Sequence, residues 1–167
     1  CHECNGLGIT QSVDLDLLLT DPELSIAEGG IRYYKNIVNT QNIEWQTFEK
    51  LMDFAGVDVD TPVNKIPKKK LDILLYGSKV AVKYVIESRS GNQFHRVEPI
   101  EGIVNLIERR HRDTTSSSSR EWYASFLSES TCQTCHGTRL NDSALCVKVG
   151  NLNISEFTAL SIADAMV

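Results

Sequence analysis

Apolar residues recur along this chain at two periods, and each change of period marks a new element. From Asn42 to Ala55, Ile43, Phe48, Leu51, Met52 and Ala55 follow helical spacing, which predicts a helix with one buried stripe. Gly56 is placed to end that helix in a left-handed turn. Trp45 lies off the stripe and is expected to be partly exposed, a stacking candidate beside nucleic acid and otherwise a rim contact. Pro67 to Tyr76 reads as a second helix, with proline in its first turn and Gly77 after its end. The period then changes to two: Val80, Val82, Tyr84 and Ile86 alternate with Lys79, Ala81, Lys83 and Val85, a half-buried strand. Ser90-Gly91-Asn92 is a turn, and Phe94 to Glu98 returns as the partner strand until Pro99 stops the ladder. The pattern leaves the register, and so the face taken by Arg96, open. Gly102 to Arg112 is helical again, with Ile103, Leu106 and Ile107 on its buried side.

Shorter signals fill the rest. Asp14 to Leu19 predicts one or two helical turns stopped at Thr20-Asp21-Pro22. Gly29-Gly30 breaks regularity before Ile31-Arg32-Tyr33-Tyr34-Lys35, which suits either strand or loop. Thr114 to Ser119 is a polar hinge, and Ser118 with Glu121 has the spacing of a capping box for a helix carrying Trp122, Phe126 and Leu127 inward. Two strands, Ala144 to Val149 and Leu152 to Ile154, and a helix from Ser161 to Met166 are predicted beyond. Cys146, in the first of those strands, is expected to pack as a small buried hydrophobe. Together these elements define an α+β fold: helices with a small antiparallel hairpin or sheet.

Chemistry concentrates in two cysteine knuckles, Cys1-His2-Glu3-Cys4 and Cys132-Gln133-Thr134-Cys135, each followed two places later by glycine, Gly6 and Gly137. A C-x-x-C turn brings two sulfurs to its inner side, and four thiolates complete a tetrahedral shell for a structural zinc ion with no open position for catalysis. Such a base would staple both ends of a single excursion, because 127 residues separate Cys4 from Cys132. That is far beyond the spacing of an ordinary zinc finger, so pairing the knuckles is an inference from chemistry. Thiol exchange, disulfides, or a partner for each pair outside this chain are the alternatives. His2 and His136 adjoin the knuckles and are expected to be bystanders.

At 167 residues and 41% hydrophobic composition, the chain can bury one domain core with room for a small satellite, and its longest apolar run is far short of a membrane span. With no targeting segment in view, a cytoplasmic protein is the expectation. The net charge of −5 speaks against nucleic acid until its distribution is read: Lys65 to Arg120 holds 12 basic and 6 acidic residues, so +6, and the flanks carry −11. Segregation of this kind is what a phosphate footprint requires, and a solvated face without a partner produces it too. Lys68-Lys69-Lys70 oppose the dipole of the helix they open, whereas Arg109 to Arg112 suit the dipole of the helix they close. No phosphate-binding glycine loop, metalloprotease helix or nucleophile triad is present, so no catalytic site is expected.

The motifs resemble those of the family of UvrA, the damage-recognition ATPase subunit of the bacterial excinuclease. The resemblance runs nearly end to end, on Cys1-His2-Glu3-Cys4-Asn5-Gly6-Leu7-Gly8, Asp21-Pro22-Glu23-Leu24-Ser25, Gly29-Gly30-Ile31-Arg32, Leu74-Leu75-Tyr76-Gly77 and Pro99-Ile100-Glu101-Gly102. It continues through Glu108-Arg109-Arg110, Ser117-Ser118-Ser119-Arg120-Glu121 and Cys132-Gln133-Thr134-Cys135-His136-Gly137-Thr138-Arg139-Leu140. It implies an internal piece of such a protein: a first knuckle and base over 1–12, a DNA-facing insertion over 13–131, and over 132–167 the second knuckle, short strands and the start of a helix of the ATPase half. It further implies a structural zinc on Cys1, Cys4, Cys132 and Cys135, and no enzymatic activity in this stretch alone. ATP would act only in the full-length protein, whose nucleotide loops lie elsewhere. The partners implied are damaged duplex DNA and, for the full-length protein, the UvrB component of the excinuclease and a second copy of itself. Candidate DNA contacts are Arg32, Lys68, Lys69, Lys70, Arg96, Arg109, Arg110, Arg112 and Arg120. The lysine run and Pro67 are not carried by the resemblance, which favours Arg32, Arg109, Arg110 and Arg120. A protein-interaction module that docks a repair partner or relays the ATP state is the rival reading; a dithiol redox enzyme is the third.

Overall fold

The structure is a computed structural model, and it describes residues 1–165. In chain order its elements are β1 (Ile9–Val13), α1 (Leu15–Leu18), α2 (Ile43–Ala55), a 3-10 turn (Val63–Lys65), α3 (Lys68–Tyr76), β2 (Val82–Glu87), β3 (Gln93–Glu98), α4 (Ile103–Asp113), α5 (Ser117–Ala124), β4 (Leu127–Thr131), α6 (Asp142–Leu145), β5 (Lys148–Val149), β6 (Leu152–Asn153), α7 (Ile154–Thr158) and α8 (Ile162–Ala165). Helices with three two-stranded sheets, β1-β4, β2-β3 and β5-β6, make this an α+β fold. The chain divides into two compact units: Cys1–Ser12 with Ser128–Val167, and Val13–Leu127.

The unit over Val13–Leu127 owns the hydrophobic core. α2 is capped at its start by the Asn42 side chain, which accepts from Glu44 N at 2.8 Å, and ends at left-handed Gly56 as its sequence predicts. Its stripe runs through Trp45, Phe48, Leu51, Met52 and Ala55, all buried. Trp45 is therefore not the partly exposed residue expected of it. It sits three and seven residues before Phe48 and Met52, which is the same helical face, and it is Ile43 that turns outward. The Trp45 indole N–H is satisfied by Glu49 at 2.7 Å. Tyr34 stacks on Phe48 with centroids 4.2 Å apart and meets Trp45 edge-on, so the Ile31 to Lys35 segment is a run of turns that delivers aromatic side chains to the core.

The β2-β3 hairpin pairs Tyr84 with Arg96 and Ile86 with Phe94, which puts Arg96 on the face of Tyr84. Gln46 of α2 grips the hairpin through both functions of its amide: Nε2 donates to Glu87 O at 2.8 Å and Oε1 accepts from Glu87 N at 2.8 Å. Two stretches that carry the family resemblance, ending at Gly77 and Gly102, meet here. Ser78 N donates to Ile100 O at 2.9 Å and Ile100 N donates to Ser78 Oγ at 2.8 Å. A Cβ on Gly102 would lie 2.3 Å from Gly77 N and 2.4 Å from Leu75 O, so this backbone crossing admits no side chain.

Several local expectations are corrected. The cap of α5 is Ser116, accepting from Ser119 N, in place of the Ser118–Glu121 box; a run of serines offers several equivalent caps and packing selects one. Of the residues expected inward, Phe126 is fully buried, but Trp122 is 41% exposed and Leu127 belongs to β4. In the other unit, the strand expected over Ala144 to Val149 is helix α6 followed by two-residue β5. Asn141 caps that helix by accepting from Ala144 N, a local bond that outweighs the alternation of apolar residues. Cys146 then follows a helix and is exposed, not buried. Only Leu152 and Asn153 form β6, because Asn153 with Glu156 builds a capping box that opens α7 at Ile154. α8 covers Ile162–Ala165 of the expected helix; Met166 lies outside the described residues.

Candidate functional site

In the unit that contains both chain ends, the two knuckles fold alike. Gly6 N donates to Cys1 O and Leu7 N to Cys4 O at 3.2 and 2.9 Å; His136 N donates to Cys132 O and Thr138 N to Cys135 O at 2.8 and 2.9 Å. In both, the two residues after the second cysteine are left-handed, Asn5 and Gly6 in one, His136 and Gly137 in the other, with glycine φ of 81° and 85°. This is the conformation for which the sequence places its glycines. Cys132 N donates to Gly8 O at 3.0 Å and ties one knuckle to the other.

The four sulfurs converge. Cys1 and Cys132 Sγ are 3.9 Å apart, Cys4 and Cys135 Sγ are 3.7 Å apart, and all four ligand atoms lie within 4.8 Å of one another. A tetrahedral Zn–S shell with bonds of about 2.3 Å sets its sulfurs roughly 3.8 Å apart, so the cluster is compatible with zinc. Cys4, Cys132 and Cys135 are buried and Cys1 is partly buried. Burial alone pushes the Cys4 thiol up, but the Gly8 N–H donated to its Sγ at 3.2 Å, with help from Cys135, Gly6 and Cys132, brings it down to about 7. A thiol poised this way gives up its proton readily to a metal. His2 and His136 are not among the clustered ligand atoms.

The candidate cations of the other unit divide into engaged and free. Arg32 donates to Ser125 O and Oγ at 3.2 and 3.1 Å and lies over the Phe126 ring at 4.7 Å. Arg109 grips Glu101 bidentately, with contacts of 2.7 to 3.2 Å that hold its guanidinium firmly protonated. Arg110 pairs with Glu44, which also accepts from the Tyr33 hydroxyl at 2.8 Å. Arg96 pairs with Glu98 at 2.9 Å. That bond, with the Tyr84 hydroxyl also donating, holds the Glu98 carboxyl below the ordinary carboxylate range, while burial and Glu98 push the Tyr84 phenol up to about 12. Arg120 donates to Thr114 O at 2.7 Å and Lys70 to Gly56 O at 2.5 Å, closing the end of α2.

Lys68 and Lys69 are exposed and have no ion-pair or hydrogen-bond partner among the described residues, and Arg112 only approaches Asp113 at 3.5 Å. The arginines that the resemblance favours are therefore engaged within the fold, and the free charge of the expected set sits on Lys68 and Lys69, which the resemblance does not carry, and on Arg112. In the Val13–Leu127 unit, the free cations absent from the expected set are Lys35, Lys65, Lys79, Lys83 and Arg89, all exposed and without such partners among the described residues. The charge count over Lys65 to Arg120 contains four of the five. Single-residue reasoning misses them because nothing local distinguishes a free lysine from a paired one.

A zinc-compatible cysteine base and a helical unit with unpaired surface cations describe, as a class, a small α+β module with the features of a nucleic-acid-contacting domain. The family model described as the UvrA DNA-binding domain matches residues 14–125. The chain is 43% identical over 164 residues to UvrABC system protein A of Mycoplasmopsis pulmonis and 42% identical over 162 residues to that of Mycoplasma genitalium. Those matches cover 98% and 97% of this chain and 17% of each relative. The crystal structure of UvrA2 from Deinococcus radiodurans shares the fold over 99% of this chain and 21% of that one, with a TM-score of 0.72 and 21% identity. The chain belongs to the UvrA family.

Proposed function

We propose that this chain is a zinc-stapled, DNA-contacting insertion module of a damage-recognition ATPase in bacterial nucleotide excision repair. Residues 1–12 and 132–167 serve as the base, with zinc on Cys1, Cys4, Cys132 and Cys135, and 13–131 as the part that meets duplex DNA. The observation that carries the reading is the match of residues 14–125 to a family model described as a DNA-binding domain, on a surface that keeps unpaired cations. Recognition is of backbone and shape, because a damage sensor that accepts many lesions cannot rely on base-edge hydrogen bonds. Lys68, Lys69 and Arg112 are the better phosphate contacts of the expected set. Arg32, Arg96, Arg109, Arg110, Arg120 and Lys70 each hold a partner within the fold, so part of their hydrogen-bonding capacity is already committed there. The module performs no reaction by itself, and ATP, UvrB and self-association enter through the full-length, cytoplasmic protein. Among the described residues no helix is long and apolar enough to cross a membrane.

Duplex affinity measured against salt tests the proposal. Each phosphate neutralised should add about 0.9 to the slope of log affinity on log salt, and Lys68→Gln and Lys69→Gln should each reduce that slope by about one. Affinity unchanged over a several-fold rise in salt would make a phosphate-contact role untenable. A second reading is favoured by one feature of the base unit: Val147, Val149, Leu152, Ile154 and Phe157 line an apolar cleft of about 470 Å³, and Val149 is 83% exposed. Docking of a repair partner would use that face.

A further inference from the structure

The Val13–Leu127 unit also bears a cleft that phosphate contacts leave unexplained. It opens beside α3, has a volume of about 710 Å³, and is lined by Phe54 from the end of α2, Ile73 and Tyr76 from α3, and Val80 from the loop into β2. That volume falls among ligand pockets, which span about 300–1,000 Å³. Phe54 is 43% and Tyr76 52% exposed, and among the described residues neither ring packs against another aromatic ring. Tyr33, Tyr34, Trp45, Phe48 and Phe126 do, so the core uses its aromatic faces while these two are left to solvent. Lys69 and Lys79 also line the cleft, both exposed and both without an ion-pair or hydrogen-bond partner among the described residues. Lys83 lies in an adjoining cleft that shares Phe54.

We infer that this cleft takes an unpaired nucleobase of DNA, stacked on Phe54 and Tyr76, with Lys69 and Lys79 on the flanking phosphates. Aromatic rings beside cations are the recurring means of holding single-stranded nucleic acid, because every base offers a π-face and every linkage a negative charge. A base inside a duplex has both faces covered by its neighbours, so a concave ring-lined site can receive only one that has left the stack. Asp72, the only carboxylate of the lining, would repel a phosphate placed beside it but can accept from a base amine. The charge around the rings selects a polyanion over an apolar peptide. The inference rests on the DNA-contacting reading above and names the state of the DNA that this site selects.

The test measures affinity of the whole 167-residue chain for a single-stranded thymidine oligomer and for a fully paired duplex. Phe54→Ala and Tyr76→Ala should each weaken oligomer binding by about 5- to 100-fold and leave duplex binding within about twofold. Tyr76→Phe should bind as the parent does, and Lys79→Gln should weaken oligomer binding with a shallower salt slope. Should Phe54→Ala fail to fold, Phe54→Leu keeps the bulk, loses the stacking face and carries the same expectation. Oligomer binding indifferent to Phe54 and Tyr76, or oligomer and duplex weakened equally, overturns the inference. So does a peptide rich in Glu and Phe that binds with Phe54 dependence when the oligomer does not bind. Phe54-dependent oligomer binding without duplex binding would sink the duplex reading and support this one.

Discussion

The two units of this chain are stabilised by different physics. The unit over Val13–Leu127 buries 22 residues in a continuous apolar core, from Leu18 to Phe126. Among the described residues, the base unit, Cys1–Ser12 with Ser128–Val167, has one buried cluster, made of Cys4, Cys132 and Cys135 with Cys1 against it. Its larger apolar side chains, such as Leu7, Val147, Val149 and Ile162, lie exposed. Hydrophobic burial can hold the first, whereas the second removes little apolar area from water, and a metal joining its clustered sulfurs would supply what burial does not. A metal clip suits the base because its contribution does not depend on area.

Metal removal should separate the units most widely. Structural zinc is worth roughly 10–16 kcal/mol in small zinc-binding domains, so a chelator, or Cys132→Ser, should abolish amide-exchange protection around both knuckles. Protection of α2 and α4 should persist, and loss of both together would mean the core does not stand without its base. Phe48→Ala is the converse, expected to cost the helical unit about 3–5 kcal/mol by a cavity beneath Tyr34 while leaving the metal content of the purified chain unchanged. Gly102→Ala tests the backbone crossing: steric overlap with Gly77 should lower the helical unit's melting stability by about 1–3 kcal/mol, with metal content unchanged. The smallest effect is acidic. Glu98 is held below the ordinary carboxylate value by Arg96 and Tyr84, so it adds stability at neutral pH that is lost as pH falls below about 4.5 through its folded value. Denaturation of Glu98→Gln should show a flatter decline over that acid range, and an unchanged decline would assign the acid sensitivity to other carboxylates.

Legibility along the chain follows the range of the forces involved. α2, α3, the hairpin and α4 are readable because each combines a clear period with its own stop signal, Gly56, Gly77, Ser90-Gly91-Asn92 and Pro99 among them. The turn from Asp142 to Cys146 escapes such a reading because a four-residue helix leaves too short a trace for its period to show, and the Asn141 cap decides it. Trp45 is misplaced when the stripe is measured from Ile43, a residue at the helix start that faces solvent. The cysteine centre is readable as two half-sites, since the C-x-x-C spacing and following glycine are local demands.

What the sequence determined by itself is therefore what one turn of chain can enforce: α2, α3, α4 and the hairpin, the two knuckles, the basic middle and the family. Tertiary structure alone decided that the knuckles meet across 127 residues and that Gly77 and Gly102 cross. It also decided which cations are spent on the fold and which are free, because a salt bridge such as Arg110–Glu44 joins residues 66 apart in sequence and leaves no local trace of the pairing. Charge is a property of a residue, but its availability is a property of the surface around it.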